Sequence, residues 1–363
     1  VNHNLQITDS DMDESDNYSY FDYNLTTDTC DVEELDMQVF QNIFKPVFYS
    51  LILVLGVAGN GLMVTVLLRR RHRLRITEIY LLHLAVADLM LLCTLPFDVA
   101  HTIHGWLFGN FLCKLMGLVQ NLNLFCGSFL LAYIGFDRYL AIVHAIPSMQ
   151  SRRTQTVHLT CVLLWLVCLG FSIPNAVFLK VKDEAPNSSL SRVSCYYHEE
   201  NIHANNWVLT NRVLIHACFF SCLVVMTYCY TAIVGTLFKS QKSQSKQGAI
   251  RLALLVTLVF CFCWLPYNIA LLMITMDDLS VIQDINCPFR ISLKSAKIVT
   301  ETLAFCHCCL NPFLYAFVGV RFRNELIQLL CEVGCSRLCL PFIRAQGHSR
   351  ASISDGLTTT STF

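Results

Sequence analysis

Charge is what this chain has least of. Only 14% of its 363 residues are Asp, Glu, Lys or Arg, against roughly a quarter in soluble globular domains. Together with a mean hydropathy of +0.50, that scarcity excludes a water-soluble domain and marks a membrane protein. Residues 1–45 lack an apolar core of the kind a cleavable leader needs, so the first span is expected to target the chain itself. Between Asp9 and Asp36 there is no Lys or Arg, but eleven Asp or Glu. No zinc-ligand or thioredoxin-like spacing can be drawn through the 19 cysteines. Most of them, such as Cys161, Cys168, Cys261, Cys263 and Cys306, fall inside apolar runs, where a thiol is a small buried hydrophobe. Neither a catalytic constellation nor an internal repeat lining a polar pathway is present, which argues against an enzyme and against a transporter. Nucleic acid is not an expected partner.

What is present is a series of long apolar runs. Seven of them, at about 46–69, 77–101, 110–142, 156–176, 206–238, 248–275 and 296–318, are near or above the roughly 20 residues that cross a bilayer as helix. No β pattern competes, and helices satisfy their backbone groups within the span. Basic residues cluster after spans one, three and five and in the tail, with Arg69, Arg70, Arg71, Arg73 and Arg75 the densest group. By the positive-inside rule the N-terminus lies outside and the tail is cytoplasmic. The expected fold is an all-α membrane protein, a seven-transmembrane helix bundle. Its divisions are a disordered acidic extracellular tail (1–45), the bundle (46–318), an amphipathic membrane-surface helix (319–331) and a Ser/Thr-rich cytoplasmic tail (332–363).

The N-terminal segment is too polar to fold alone. Asn17 and Asn24 open glycosylation sequons, as does Asn187 in the loop after span four. Tyr18, Tyr20 and Tyr23 sit among acids, a context that favours tyrosine sulfation and a basic partner over a merely solvated tail. Span two carries Asp88 at its middle, a costly place for a carboxylate and hence a functional expectation. Further out come Pro96, which should kink the helix, and Asp98. Span three ends in Asp137-Arg138-Tyr139, where the Arg either snorkels to the interface or pairs with Asp137. Span six holds Trp264 beside Pro266. Span seven holds Glu301 in its outer half and Asn311-Pro312 with Tyr315 near its inner end. Four cysteines, Cys30, Cys113, Cys195 and Cys287, lie in external segments, where disulfides form. Three pairings of four are possible. A bridge Cys113–Cys195 pinning the external loop to span three, with a second bridge Cys30–Cys287, uses up the set, but sequence alone does not choose. Cys331, Cys335 and Cys339 follow the amphipathic stretch as palmitoylation candidates. Ser and Thr near the C-terminus offer phosphorylation sites, each adding about two negative charges.

The ordered series Asn60, Asp88, Cys113, Asp137-Arg138-Tyr139, Trp165, Trp264 with Pro266, and Asn311-Pro312 with Tyr315 resembles the rhodopsin-like (class A) G protein-coupled receptors. Finer runs are similar to chemokine receptors of the CXC branch: Thr94-Leu95-Pro96, Asp137 through Ala145, Cys263-Trp264-Leu265-Pro266-Tyr267, Glu301 and His307-Cys308-Cys309-Leu310-Asn311-Pro312. The resemblance implies a plasma-membrane receptor in which the acidic tail holds the body of a basic CXC chemokine and Asp98 and Glu301 receive its flexible end. It implies that Trp264 and Pro266 act as a pivot, that Tyr230 and Tyr315 move near Arg138, and that release of Arg138 from Asp137 admits a Gi-class G protein. Arrestin and receptor kinases would act on the phosphorylated tail, and membrane lipid would surround the bundle. An atypical scavenger that internalises chemokine without signalling is the alternative, but scavengers commonly lose the Asp-Arg-Tyr pattern, which is intact here. Asp88 and Asn311 are the candidates for an allosteric sodium ion. Three positions depart from the family pattern: Cys222 stands where span five usually has proline, Asp98 where relatives carry Trp or an apolar residue, and Gly127 where many carry a sodium-ligating Ser.

Overall fold

The structure is a computed structural model, which describes residues 29–69, 74–144, 154–183, 193–197, 202–239, 244–279, 281, 287–318 and 320–332. Its helices are α1 (Thr29–Arg69), α2 (Ile76–Leu92), α3 (Leu95–His104), α4 (Gly109–Ile142), α5 (Thr154–Phe178), α6 (Ile202–Lys239), α7 (Gln244–Asp278), α8 (Cys287–Val318) and α9 (Val320–Glu332). A two-stranded hairpin, β1 (Leu179–Asp183) and β2 (Val193–Tyr197), joins α5 to α6.

Six described spans are long and apolar enough to cross a membrane, α2 and α3 counting together as one. The seventh, α8, falls short because it carries Lys297, Glu301, His307 and Asn311, groups it turns toward its neighbours rather than toward lipid. Every backbone amide in such helices is bonded internally, which is why the apolar runs fold this way in hydrocarbon. Two boundaries differ from the sequence expectation. First, α1 begins at Thr29 rather than near residue 46, so part of the expected tail is helix. Phe40, Phe44 and Phe48 stack at four-residue spacing along it, with centroids 4.9 and 4.5 Å apart. Four-residue spacing puts such side chains on one helix face. Second, Pro96 does not merely kink its span. The helix stops at Leu92, and Thr94 donates its hydroxyl and its amide back to the Leu91 carbonyl at 2.7 and 2.9 Å. A new helix then starts with Pro96 in its first turn, where a missing N–H costs nothing.

The bundle is organised around α4, the most buried span, while α5 is the most exposed to its surroundings. The main core runs along the inner faces of all seven spans, with Tyr80, Leu84, Leu91, Phe125, Phe219 and Phe260 almost fully buried. A smaller cluster of Trp106, Cys113, Met116 and Leu179 sits under the hairpin. Gly117 makes that approach possible: a Cβ there would lie 2.1 Å from the Leu179 methyl. The connection from α3 to α4 turns through Gly105 and Gly109, both at positive φ (80° and 72°), a region that side-chain-bearing residues avoid. At the other end α9 folds back on the bundle, and Arg69 of α1 pairs with Glu332 at 2.7 Å.

Candidate functional site

At the hairpin end the bundle opens into a cavity of about 390 Å³, within the range of small-ligand sites. Spans two to seven all contribute to its wall. Asp98 and Glu301, the two carboxylates expected there, both line it, together with Lys297, Arg212 and Gln120. Asp98 is held by Gln120, whose amide donates to its Oδ2 at 2.8 Å. Below, Asn175 of α5 donates to the Gly117 carbonyl of α4 at 2.7 Å and accepts from Asn211 of α6 at 3.4 Å, so three helices share one polar seam under the rim. Gln120, Asn175 and Asn211 were not legible as site residues, because a lone amide in an apolar run signals only a helix–helix bond. Around the mouth, Asp278 of α7 pairs with Arg212 of α6, and Asp277 pairs with Arg290 of α8 at 3.0 Å. The result is a polar funnel of mixed charge.

Cys195 of β2 is bonded to Cys113 near the start of α4, with Cα atoms 5.8 Å apart. The hairpin register places Cys195 opposite Val181, and Trp106 donates its amide to the Val193 carbonyl at 2.7 Å. The loop is thereby pinned as a cap over the cavity. Cys30 and Cys287 stand at the ends of α1 and α8, but their side chains, like that of Cys331, lie outside the described residues, as do Tyr18, Tyr20, Tyr23, Asn17, Asn24, Asn187, Cys335 and Cys339.

Trp264 forms the floor of the cavity, 3% exposed, with its ring against Phe260, Tyr267, Phe305 and His307 at centroid distances of 5.7–6.4 Å. Helix α7 continues through Pro266, and α8 through Pro312. At the far end of the bundle, Arg138 donates through Nη2 to Asp137 Oδ2 at 2.6 Å; the Asp137 side chain is 1% exposed and that of Arg138 22%. Nearby, Thr257 of α7 donates to the Tyr230 hydroxyl at 3.2 Å, and Tyr315 packs its ring on Phe322 of α9 at 6.1 Å. Tyr139 is tied to both Tyr228 (3.2 Å) and His144 (2.9 Å) through its hydroxyl, a ring cluster with no signal in the sequence beyond the residues themselves. The bundle thus joins a solvent-open cavity at one end to a closed Asp–Arg pair at the other.

Between these ends, Asp88 is fully buried and accepts from Asn311 at 2.9 Å and from Asn123 at 3.3 Å. Asn60 ties α1 to α8 by donating to the Cys308 carbonyl at 2.7 Å. Beside Asp88 the carbonyl oxygens of Asn123 and Asn311 are buried without a hydrogen-bond partner. An alkali cation wants a shell of hard oxygens. Gly127 offers no hydroxyl, and a Cβ there would meet the Phe260 ring at 2.5 Å. His307 instead brings Nε2 to 3.2 Å from Asp88 Oδ1.

Comparison with known proteins agrees with this architecture. Residues 59–315 match the family described as 7 transmembrane receptor (rhodopsin family). The chain is 42% identical over 331 residues to C-X-C chemokine receptor type 5 of Homo sapiens, covering 90% of this chain and 88% of that protein. It is 40% identical over 337 residues to the type 5 receptor of Rattus norvegicus, covering 92% and 88%. To C-X-C chemokine receptor type 3 of Bos taurus it is 41% identical over 296 residues, covering 82% and 79%. A multi-pass helical bundle with the Cys113–Cys195 bridge, a capped cavity and an Asp–Arg pair at its far end therefore carries a known lineage: the chain belongs to the rhodopsin family of seven-transmembrane receptors and, within it, to the CXC chemokine receptors, which are not enzymes.

Proposed function

We propose that the protein is a plasma-membrane receptor, N-terminus outside, that is activated by a basic CXC chemokine, couples to a Gi-class G protein and directs leukocyte chemotaxis. The acidic stretch around Tyr18, Tyr20 and Tyr23 attracts the chemokine body and raises the encounter rate. The chemokine's flexible end then enters the cavity, where its amine or a basic side chain meets Glu301 and Asp98. The observation that carries the reading is the pairing of that cavity, with Asp98 and Glu301 in its wall, with the Arg138–Asp137 ion pair at the opposite end of the same bundle. Binding biases a two-state bundle: the Trp264 floor shifts, Tyr230 and Tyr315 rearrange, and Arg138 leaves Asp137 to meet the G protein. Receptor kinases and arrestin then act on the Ser/Thr-rich tail. The Asn187-Ser188-Ser189-Leu190 run and the Leu-Thr-rich end look most like type 5, which would make B-cell homing the physiological output. The run from Val318 to Arg323 is shared with type 3.

A panel of CXC chemokines assayed for inhibition of cyclic AMP in transfected cells tests the reading. One chemokine should give a saturable, pertussis-toxin-sensitive response that Arg138→Ala abolishes while surface binding persists. Chemokine uptake with no cyclic AMP response to any member would instead make the protein a scavenger.

A further inference from the structure

Near its Asp–Arg end, α4 meets α6 on two faces. Gly135 lets the helices close: a Cβ there would lie 3.2 Å from the Tyr230 ring. Tyr230 points inward, 5% exposed, within electrostatic reach of Arg138, and its hydroxyl accepts from Thr257 of α7 at 3.2 Å. Tyr228, two residues earlier, lies about 200° round the helix and is 62% exposed, on the face that looks out of the bundle. Its hydroxyl nonetheless turns back to that of Tyr139 on α4, 3.2 Å away, and the two rings meet at 5.5 Å. From the other side His144, just past the end of α4, brings Nε2 to 2.9 Å from the same Tyr139 oxygen, with its ring edge-on at 5.0 Å. A phenol has one proton to give and lone pairs to accept with, so Tyr139 donates to one neighbour and accepts from the other, and both bonds stand together. Phe136 stacks beside Tyr139 at 6.5 Å and closes the cluster. A hydroxyl facing apolar surroundings is costly without a partner, which gives Tyr228 a reason to hold Tyr139.

We propose that Tyr228 and His144 are positioning residues for the Arg138 switch: through Tyr139 they tie α6 to α4 in the resting receptor, and the tie breaks before Arg138 leaves Asp137. The inference rests on the Gi-coupled reading given above. Arg138 and Tyr139 are consecutive and so about 100° apart on α4. Arg138 faces Asp137 and Tyr230, while Tyr139 faces the outer flank of α6. A helix is stiff over two residues, so holding Tyr228 holds the rotation of α6 that seats Tyr230 over Gly135 and against Thr257. A rotation that carries Tyr230 to Arg138 takes Tyr228 off Tyr139. The tie and the closed Arg138–Asp137 pair stand in the same structure, so the tie belongs to the state in which the switch is shut. Opening it is then part of what ligand binding has to do to the two-state bundle.

The test uses the full chain in lipid nanodiscs with a Gi heterotrimer and no chemokine. Tyr228→Phe keeps the ring and removes one hydrogen bond, so basal nucleotide exchange should rise about fivefold, the factor one net hydrogen bond is worth. His144→Phe, which keeps a ring edge on Tyr139, should raise it to a similar degree. Tyr139→Phe removes both bonds, so adding Tyr228→Phe to it should change nothing further, whereas unconnected structural effects would add. Val224→Ala, one turn along the same outward face of α6 and 68% exposed, should leave the basal rate as in the parent. Hydrogen–deuterium exchange of the α6 amides beyond Tyr228, read without G protein, should quicken in Tyr228→Phe. The proposal is overturned if those amides exchange as in the parent, or if Tyr228→Phe keeps its full effect on top of Tyr139→Phe. It is equally overturned if Tyr228→Phe exchanges nucleotide within twofold of the parent while Asp137→Asn, whose ion pair is gone, exchanges faster. If Asp137→Asn gives no exchange on Gi while Tyr228→Phe still loosens α6, the tie stands and the Gi-coupled reading falls.

Discussion

Neutralising Asp137 should switch the receptor on without ligand. Arg138 Nη2 lies 2.6 Å from Asp137 Oδ2, with the carboxylate 1% and the guanidinium 22% exposed. A hydrogen bond between charged partners contributes about 1.5–3 kcal/mol, and more when removing one partner strands a buried charge. Arg138 keeps about a fifth of its exposure, so water can recover part of the loss, and about 2 kcal/mol is the working figure for Asp137→Asn. If the pair exists only in the resting state, that energy shifts the active-to-resting ratio roughly 30-fold. A receptor resting with about 1% of molecules active would become active in roughly a fifth of them. The assay is chemokine-free nucleotide exchange on a Gi heterotrimer by receptor in nanodiscs, normalised to folded receptor, with Asp137→Glu as the charge-preserving control. A basal rate for Asp137→Asn within twofold of the parent, with chemokine response retained, would show that the ion pair does not hold the resting state.

Other consequences follow from the cavity and the core. Glu301→Gln should cut cyclic AMP efficacy or potency strongly while chemokine binding falls less, whereas neutralising the acids around Tyr18, Tyr20 and Tyr23 should weaken binding, more steeply at high salt, and spare the maximal response. Paired binding and response curves at two salt concentrations check this, and the reverse pattern would refute the two-step reading. Asp98→Ala should be milder than Glu301→Gln. Cys113→Ser frees the hairpin that caps the cavity, so cell-surface staining and ligand binding should both fall, at a stability cost of about 2–5 kcal/mol. Gly127→Ser places an atom 2.5 Å from the Phe260 ring, an overpacking worth about 1–3 kcal/mol. It should lower the Tm of the purified receptor by several degrees, and adding Phe260→Leu should return part of the loss.

Composition and apolar run length were enough to determine that this chain crosses a membrane as a helical bundle, because hydrocarbon leaves the backbone only helices or a closed barrel, and continuous apolar runs of this length are helical rather than the alternating short strands of a barrel. The seventh span illustrates the limit. Its hydropathy is weak, but the bundle encloses Glu301, His307 and Asn311, so lipid never meets them. Asp98 and Glu301 could be named from the sequence, being carboxylates near the end of an apolar span. That Gln120 holds Asp98 depends on α4 passing beside α3, a contact between residues 22 apart in sequence. The proline at 96 announced a disturbance, but whether it bends the helix or ends it was decided by where the Thr94 hydroxyl finds the Leu91 carbonyl. The cysteines could be counted and sorted by side, yet Cys113 and Cys195 were joined only by the hairpin that folds over α4. Asp88, His307 and Cys308 lie as much as 220 residues apart, each with an ordinary explanation where it stands. Only the packing of α2 against α8 brings these side chains together, because side-chain geometry across helices is set by tertiary contacts and leaves no periodic trace along the chain.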